Sequence, residues 1–484
     1  MSLNPLEPPV PPNTSRLLWS NADLIICHPH PTVENWLHYY HRSLEKPAPH
    51  LAAEVVSERV DLFRVLSQNP RVIVTYQGYL DKVVELTQKA GMQIQFADRR
   101  VPFPNPLIAQ ARGFRHSQFE MFVRMLQPCR SGLLKAPTRW GKTALLANTC
   151  AVFPHVPTVI TAPGASLLDQ LVKDLRGWLP QRDIRGVFSG SKDRKPSDDI
   201  SVVSMDSLHK VDAAATRLLL IDEPHALPAA SRLAKIMAFT QARIYGFGAT
   251  LTGRFDHADK VMFGVVGPVL AEKSFKEAVT EGAICNIKVF VLEMPVPEHF
   301  ASITDRLAAY RRLIYQSEEF NQTVRRISTQ AIPADWQTLV FVDEIKQADL
   351  VQLMVDNGTI AVASRMSPAE RRQTMADMAG NIIKRCIATD IYAQGVTFPD
   401  LRVIVNAAGG GGSTTSTQKP GRLAQIRPGK TCGYMVDFAF QASYERCGKG
   451  VAAVVRDCVA REKVYRENGY EVVRVKRVDE IKLV

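Results

Sequence analysis

Short apolar runs alternate with stretches of helical period through most of the chain. Between residues 107 and about 285 the runs are "SGLLKAP", "PTVITAP", "DISVVSM", "RLLLIDE" and "RIYGFGAT". They are nearly continuous in apolar character, which is the mark of strands buried on both faces, and a helical stretch separates each from the next. That arrangement predicts a parallel sheet sandwiched between helices. The pattern restarts with "TLVFVDE", "TIAVASR", "RCIATD", "LRVIVNAA" and "CGYMVDF", so a second parallel α/β domain follows the first. The helical stretch "DRLAAYRRLIYQSEEFNQTVRRIS" lies between them.

The ends read differently. "LLWSNADLIICHP" is read as a strand and "TVENWLHYYHRSLE" as a helix. "RVIVTYQG", "YLDKVVELTQKAG" and "MQIQFADRR" then give strand, amphipathic helix and strand, with Gly91 stopping the helix. The proline-rich "VPFPNP" at 101–106 reads as a linker. The expected domains are therefore an α/β accessory module over 1–106, with DNA binding as its expected role, a motor-sized unit over 107–285 and a second over 286–484. The second carries a C-terminal helix, "VAAVVRDCVAREKVYRENG", and a basic strand, "YEVVRVKRV". The glycine-rich "AAGGGGSTTSTQKPG", 407–421, reads as a mobile loop.

Composition narrows the partners. A chain of 484 residues exceeds one ordinary core. A net charge of +12 points to a polyanion, most simply nucleic acid. The eight cysteines form no C-x-x-C pair, which argues for reduced thiols in a cytoplasmic setting rather than a disulfide framework or zinc site. No apolar run approaches the ~18 residues of a membrane span. "CHPHPTVENWLHYYH" gathers histidines in no closed zinc spacing, so they read as ordinary surface and core residues.

Chemistry enters with "KAPTRWGKTALL", residues 135–146. It follows a strand and opens a helix, the setting of a phosphate-binding loop. Ala136, Pro137, Thr138, Arg139, Trp140 and Gly141 would wrap the phosphates with backbone amides. Lys142 would reach the β/γ-phosphates, and Thr143 would hold Mg²⁺. Ala136 and Arg139 stand where glycines are usual. Taken alone, the stretch is equally compatible with an ordinary lysine at a strand-to-helix turn. The Arg139 and Trp140 side chains can point outward while the backbone amides face the phosphates, provided Arg139 adopts a backbone that favours glycine; the expectation is an Arg139 in or near φ > 0, or a loop wider than usual. About eighty residues later, "RLLLIDEPHAL" sends Asp222 and Glu223 out at the carboxyl end of a buried strand, where α/β sheets bind ligands. Asp222 suits Mg²⁺ and Glu223 suits activation of water.

From about 107 to 440 the chain resembles the superfamily 2 helicases and translocases, motif after motif in order. "FRHSQFEMF" resembles the adenine-recognition segment through Gln118. "TAPGASLLDQ" and "DISVVSMDSL" resemble the nucleic-acid-contacting motifs Ia and Ib through Ser166 and Ser204. "DEPH" resembles motif II, "GFGATLTGR" motif III with Ala249 and Thr250, and "LVFVDEI" motif IV. "CIATDIYAQGVTFPDL" resembles motif V with Thr389 and Gly395. "QKPGRLAQIR" resembles motif VI with Gln418, Gly421 and Arg422. The subgroup most similar is that of UvsW-type phage helicases and their XPB and RecG relatives, which act on duplex or branched DNA. The resemblance implies two tandem RecA-like lobes, ATP and Mg²⁺ as cofactors, and Arg422 as an arginine finger on the γ-phosphate. It also implies a role in unwinding, annealing or branch migration, with replication or recombination proteins as partners and a bacterial or phage-infected cell as the setting. The departures are Gly248, Thr397 and Gln425, the last standing where a second motif VI arginine falls; Arg427 lies two residues beyond. Three other readings stay open: an RNA helicase, the motor of a restriction or defence complex, and a nucleic-acid-binding scaffold with a weakened ATPase. The basic runs around Arg182–Lys195 and Arg461–Arg477 are either extra phosphate contacts or charged surface.

Overall fold

A computed structural model describes residues 10–45, 54–66, 69–193, 195–227, 230–252, 256–354, 359–361, 366–389, 398–410, 413–442 and 447–484. The chain forms two compact units. One comprises 1–45, 55–135 and 142–272; the other comprises 46–54, 136–141 and 273–484.

The first unit is built on a seven-stranded parallel sheet. Its strands run in the order Ile184–Val187, Ile200–Ser204, Thr158–Ala162, Leu218–Asp222, Arg243–Gly248, Gly132–Lys135 and Val269–Glu272. The five strands read from apolar runs are all present, and their central members are fully buried, as the continuous apolar pattern requires. The two edge strands lack the pattern of the others: Ile184–Val187 is broken by an arginine and a glycine, and Val269–Glu272 offers only three apolar residues after Gly267 and Pro268.

The N-terminal module has its own five-stranded mixed sheet, ordered Phe63–Leu66, Asn69–Tyr76, Asp23–Cys27, Thr14–Trp19 and Gln93–Asp98. "LLWSNADLIICHP" is an antiparallel pair rather than one strand, because Ser20, Asn21 and Ala22 turn the chain, with Ser20 Oγ accepting from the Asp23 amide at 2.9 Å. "TVENWLHYYHRSLE" keeps only one helical stretch, Pro31–Trp36, before His38–Glu45 runs as a strand whose aromatic residues favour the pleat. The helix Leu80–Lys89 ends ahead of Gly91, whose φ is +74°.

This module is not a separate body. Its Leu17, Trp19, Ile73 and Val83 belong to the same apolar core as Leu133, Leu219 and Val266. "VPFPNP" is laid along the unit instead of bridging two bodies: Phe103 meets Phe153 edge-on at 5.0 Å, and Arg217 Nη2 donates to Pro102 O at 2.5 Å. Gln77 Nε2 donates to Val265 O and Val266 O at 3.0 and 3.1 Å, and Tyr79 donates to Lys260 O at 2.6 Å. Between these two anchors, a Cβ on Gly78 would stand 2.1 Å from Phe263 O. Gly78→Ala is therefore expected to destabilise the first unit by about 1–3 kcal/mol, visible as a lower denaturation midpoint.

The second unit repeats the design in the order Thr359–Ala361, Arg385–Ala388, Gln337–Phe341, Leu401–Asn406, Cys432–Gln441, Asn286–Pro295 and Glu471–Val475, all parallel. The helix Lys449–Glu467 and the strand Glu471–Val475 form the C-terminal extension read from sequence. Within 407–421, residues 411 and 412 lie outside the described residues, and Ser413–Gly421 is a helix, not a mobile loop. Four of the segment's five glycines precede it and the fifth, Gly421, ends it; Ser416, Thr417 and Lys419 are buried, so packing decides against the low intrinsic propensity.

Arg461 is neither track nor surface. It is buried, its Nε donating to Asp437 Oδ2 at 2.8 Å, while Tyr465 donates to the same oxygen at 2.7 Å. Arg474 and Arg466 in the same tail pair with Glu462, and in the first unit Arg182 pairs with Asp199. Among the described residues no helix is long and apolar enough to cross a membrane.

Candidate nucleotide site

The strand Gly132–Lys135 delivers the chain into the loop Ala136–Gly141, and the helix Lys142–Val152 follows at once. Arg139 has φ +71°, a left-handed backbone that arginine rarely adopts and the first of the two outcomes expected at this position. Gly141 follows at φ +104°. The expected outward-pointing Trp140 is a correction. Its ring is 1% exposed, and its Nε1 donates to Glu281 Oε1 at 2.8 Å. Glu281 is held in turn by Lys273 at 2.9 Å. An indole this large escapes water only by packing, so the loop crest is anchored instead of displayed. Trp140→Phe keeps the ring and removes the donor, and is expected to cost about 1 kcal/mol in chemical denaturation.

Asp222 ends its strand with 9% exposure. Glu223 follows with φ 54° and ψ 59°, a left-handed turn fixed by its amide donating to Phe247 O at 2.9 Å. Pro224 then lies against the strand Arg243–Gly248. A Cβ on Gly246 would stand 3.2 Å from Pro224 Cγ, and one on Gly248 2.9 Å from Leu251 Cδ2 and 3.2 Å from Pro224 Cδ. The departure at Gly248 thus has a steric reason: a serine or threonine there would have to displace these neighbours.

Burial and the charge of Glu223 raise the Asp222 carboxyl well above its ordinary range, and Lys142 opposes the shift. Burial also pushes Glu223 upward, but the His225 ring and Lys142 outweigh it and hold its carboxyl low. His225 Nδ1 stands 3.3 Å from Glu223 Oε2. The adjacent carboxylates of buried Asp222 and half-buried Glu223, both under the charge of Lys142, fit a divalent cation, whose charge would restore Asp222 to its ionised form. Thr143, in the first turn of the helix, is half-buried.

In the second unit, Arg422 lies in a short turn, Arg422–Ala424, with 7% exposure. The Leu423 carbonyl in that turn accepts from Cys285 Sγ at 3.0 Å and Lys430 Nζ at 2.7 Å. A Cβ on Gly421 would stand 2.8 Å from Thr138 Oγ1, so the loop crest and the Arg422 turn meet within this unit. Arg427, by contrast, is exposed on the turn closed by the Arg427–Lys430 bridge, with Asp400 3.9 Å away.

The remaining candidates are more scattered. Gln118 is buried, its Oε1 accepting from the Arg115 amide at 2.8 Å. Ser166 is the second residue of the helix Ala165–Trp178, and Ser204 ends its strand. Thr389 is half-buried just after Arg385–Ala388, while Gly395 and Thr397 lie outside the described residues.

A family model described as "Type III restriction enzyme, res subunit" matches residues 111–253, and one described as "Helicase conserved C-terminal domain" matches 322–427. The two matches fall on the two seven-stranded sheets and hold, respectively, the P-loop with Asp222–Glu223 and Arg422. The chain belongs to the superfamily 2 helicases. Its two parallel-sheet domains are the RecA-like pair of that family.

A protein named as a helicase from Sulfolobus islandicus filamentous virus (isolate Iceland/Hveragerdi) is 21% identical over 372 residues. That match covers 68% of this chain and 64% of the viral protein, so the chain spans just under two thirds of that relative. Among solved structures, S. cerevisiae Dbp5 bound to RNA and ADP BeF3 is similar at TM-score 0.52 and 14% identity, covering 82% of this chain and 93% of its own. The restriction-modification enzyme LlaBIII bound to DNA is similar at TM-score 0.52 and 15% identity, covering 77% of this chain and 32% of its own. Likeness at such low identity concerns the fold.

Proposed function

We propose that this helicase hydrolyses ATP to remodel duplex or branched DNA by unwinding, annealing or branch migration. The observation that carries the reading is the pairing of a P-loop with Asp222 and Glu223 on one sheet, where Lys142 is the charge that acts on both carboxylates. Lys142 and the loop amides bind the β- and γ-phosphates, and Gln118 takes the adenine end. Thr143 and Asp222 would hold Mg²⁺, which supplies positive charge to the phosphate oxygens. Glu223, oriented by His225, accepts the proton of the attacking water. The water oxygen bonds to the γ-phosphorus while the bond from that phosphorus to the β–γ bridging oxygen breaks, releasing ADP and phosphate. Arg422 neutralises the charge that develops on the γ-phosphoryl oxygens. Ser166, Ser204 and Thr389 contact the nucleic-acid backbone, which carries no sequence information and suits a motor that must keep moving.

The net charge of +12 supports a polyanionic track. The choice of DNA rests on the likeness of "VTYQGYLDKVVELTQKAGMQIQFADRR" and of the tail to UvsW-type enzymes. ATP turnover measured without nucleic acid and with single-stranded DNA, duplex DNA, forked DNA or RNA tests it. Stimulation by forked or duplex DNA is expected; stimulation by RNA alone would overturn the DNA assignment. The res-subunit match favours a second reading, the motor of a larger restriction complex. Triplex displacement from intact duplex without strand separation would support that one.

A further inference from the structure

The stretch "CHPHPTVENWLHYYH", which offers no metal spacing, separates into two environments in the first unit. Tyr39 is buried in the core, whereas Tyr40 is 55% exposed. Successive strand residues face opposite ways, so Tyr40 shares its side of the strand His38–Glu45 with His38, and their rings meet edge-on at 5.6 Å. Between that strand and the start of the helix Asp259–Val266 is an open cavity of about 490 Å³, lined by His38, Tyr40, His257, Lys260 and Phe263. Small-molecule sites span about 300–1,000 Å³, so the space is of ligand size. The helix follows the strand Arg243–Gly248 and leads into Val269–Glu272, which runs in the same direction. It therefore starts on the side of the strands' carboxyl ends, the edge that also carries Asp222 and Ser204. Lys260 is braced there: its carbonyl accepts from Tyr79, and its Nζ donates one of its three protons to His38 O at 3.0 Å.

We propose that this cavity takes an unpaired nucleobase of the strand on which the helicase acts, stacked on Tyr40, with the neighbouring phosphate beside Lys260. This rests on the nucleic-acid reading above. The lining is rich in rings and carries one carboxylate, Asp259, against the Lys260 ammonium. Such a balance suits a planar base with a phosphate at its margin better than a cluster of phosphates. Every base has a π-face, so the contact adds grip without sequence preference, as a moving motor requires. A duplex keeps its bases stacked on one another and yields one only by unpairing it, so the cavity selects the single-stranded arm of a fork.

The test compares wild type, Tyr40→Ala and Tyr40→Phe as full chains, by fluorescence anisotropy on a single-stranded DNA oligonucleotide, a fork and a blunt duplex, beside thermal melting. Tyr40→Ala is expected to weaken single-strand and fork binding about tenfold and blunt-duplex binding less than about twofold. Tyr40→Phe keeps the aromatic face and should bind as wild type does. ATP turnover without nucleic acid should be the same in all three, since Tyr40 lies outside the nucleotide site. Photocrosslinking of a single strand carrying iodouracil, read by peptide mass spectrometry, is expected to mark the peptide that holds Tyr40. Wild-type affinity in Tyr40→Ala, or crosslinks confined to other peptides, overturns the proposal. So does a loss shared equally by the blunt duplex, or one that Tyr40→Phe reproduces together with a lower melting temperature. The same series on RNA of equal sequence separates this inference from the DNA assignment. A Tyr40-dependent affinity seen with RNA alone keeps the cavity and overturns the choice of DNA. A wild-type chain that binds neither nucleic acid overturns both.

Discussion

Arg422→Ala is expected to lower nucleic-acid-stimulated ATP hydrolysis by about 10³-fold or more, with a much smaller change in ATP affinity. The asymmetry follows from where the charge is needed. The γ-phosphoryl oxygens gain their stabilisation from a fixed guanidinium mainly as the bridging bond breaks, so the loss falls on kcat more than on binding. The position is prepared in advance: the Leu423 carbonyl is gripped by Cys285 and Lys430, and Gly433 admits the turn closely, since a Cβ there would stand 2.5 Å from Leu423 Cβ. Single-turnover hydrolysis beside fluorescent-ATP binding checks the split. Equal losses in both would assign Arg422 to ground-state binding instead.

Glu223→Gln is expected to reduce hydrolysis by about 10²–10⁴-fold while nucleotide binding persists. The amide keeps the shape of the side chain but cannot accept the water proton. The left-handed turn at Glu223 is set by its own amide and by Pro224 rather than by its carboxylate, so the variant should fold normally. Removing the low-lying carboxylate also relieves its repulsion of Asp222, so Mg²⁺-dependent ATP retention should be as strong as in wild type or stronger. Rapid quench for turnover and filter binding for retention separate the two. Unchanged turnover would remove Glu223 from the reaction.

Both sheets were readable in the sequence wherever a strand is buried on two sides, because only there does a run of apolar residues have no alternative. The edge strands Ile184–Val187 and Val269–Glu272 carry polar or half-exposed positions and lack that signature. The helix Ser413–Gly421 was hidden for the opposite reason: its composition opposes a helix, and burial of Ser416, Thr417 and Lys419 overrides it. At the candidate site, the residue types and their order could be read, including the left-handed backbone at Arg139. The environment of Trp140 could not, since its partner Glu281 lies 141 residues along the chain and nothing in the order of residues pairs that indole with that carboxylate. Arg461 was misread for a related reason: spacing along a helix does not reveal that Asp437 waits on a neighbouring strand.

The placement of residues 136–141 in the second unit bears on biosynthesis. The P-loop leaves the ribosome early, but Gly421, on which Thr138 rests, follows roughly 280 residues later, an interval of about 15–60 s at ordinary elongation rates. Until then the crest lacks this contact, although every strand of the first sheet, the last of them Val269–Glu272, has already been made. A first sheet that folds as it is made therefore carries a loop crest that has still to meet Gly421.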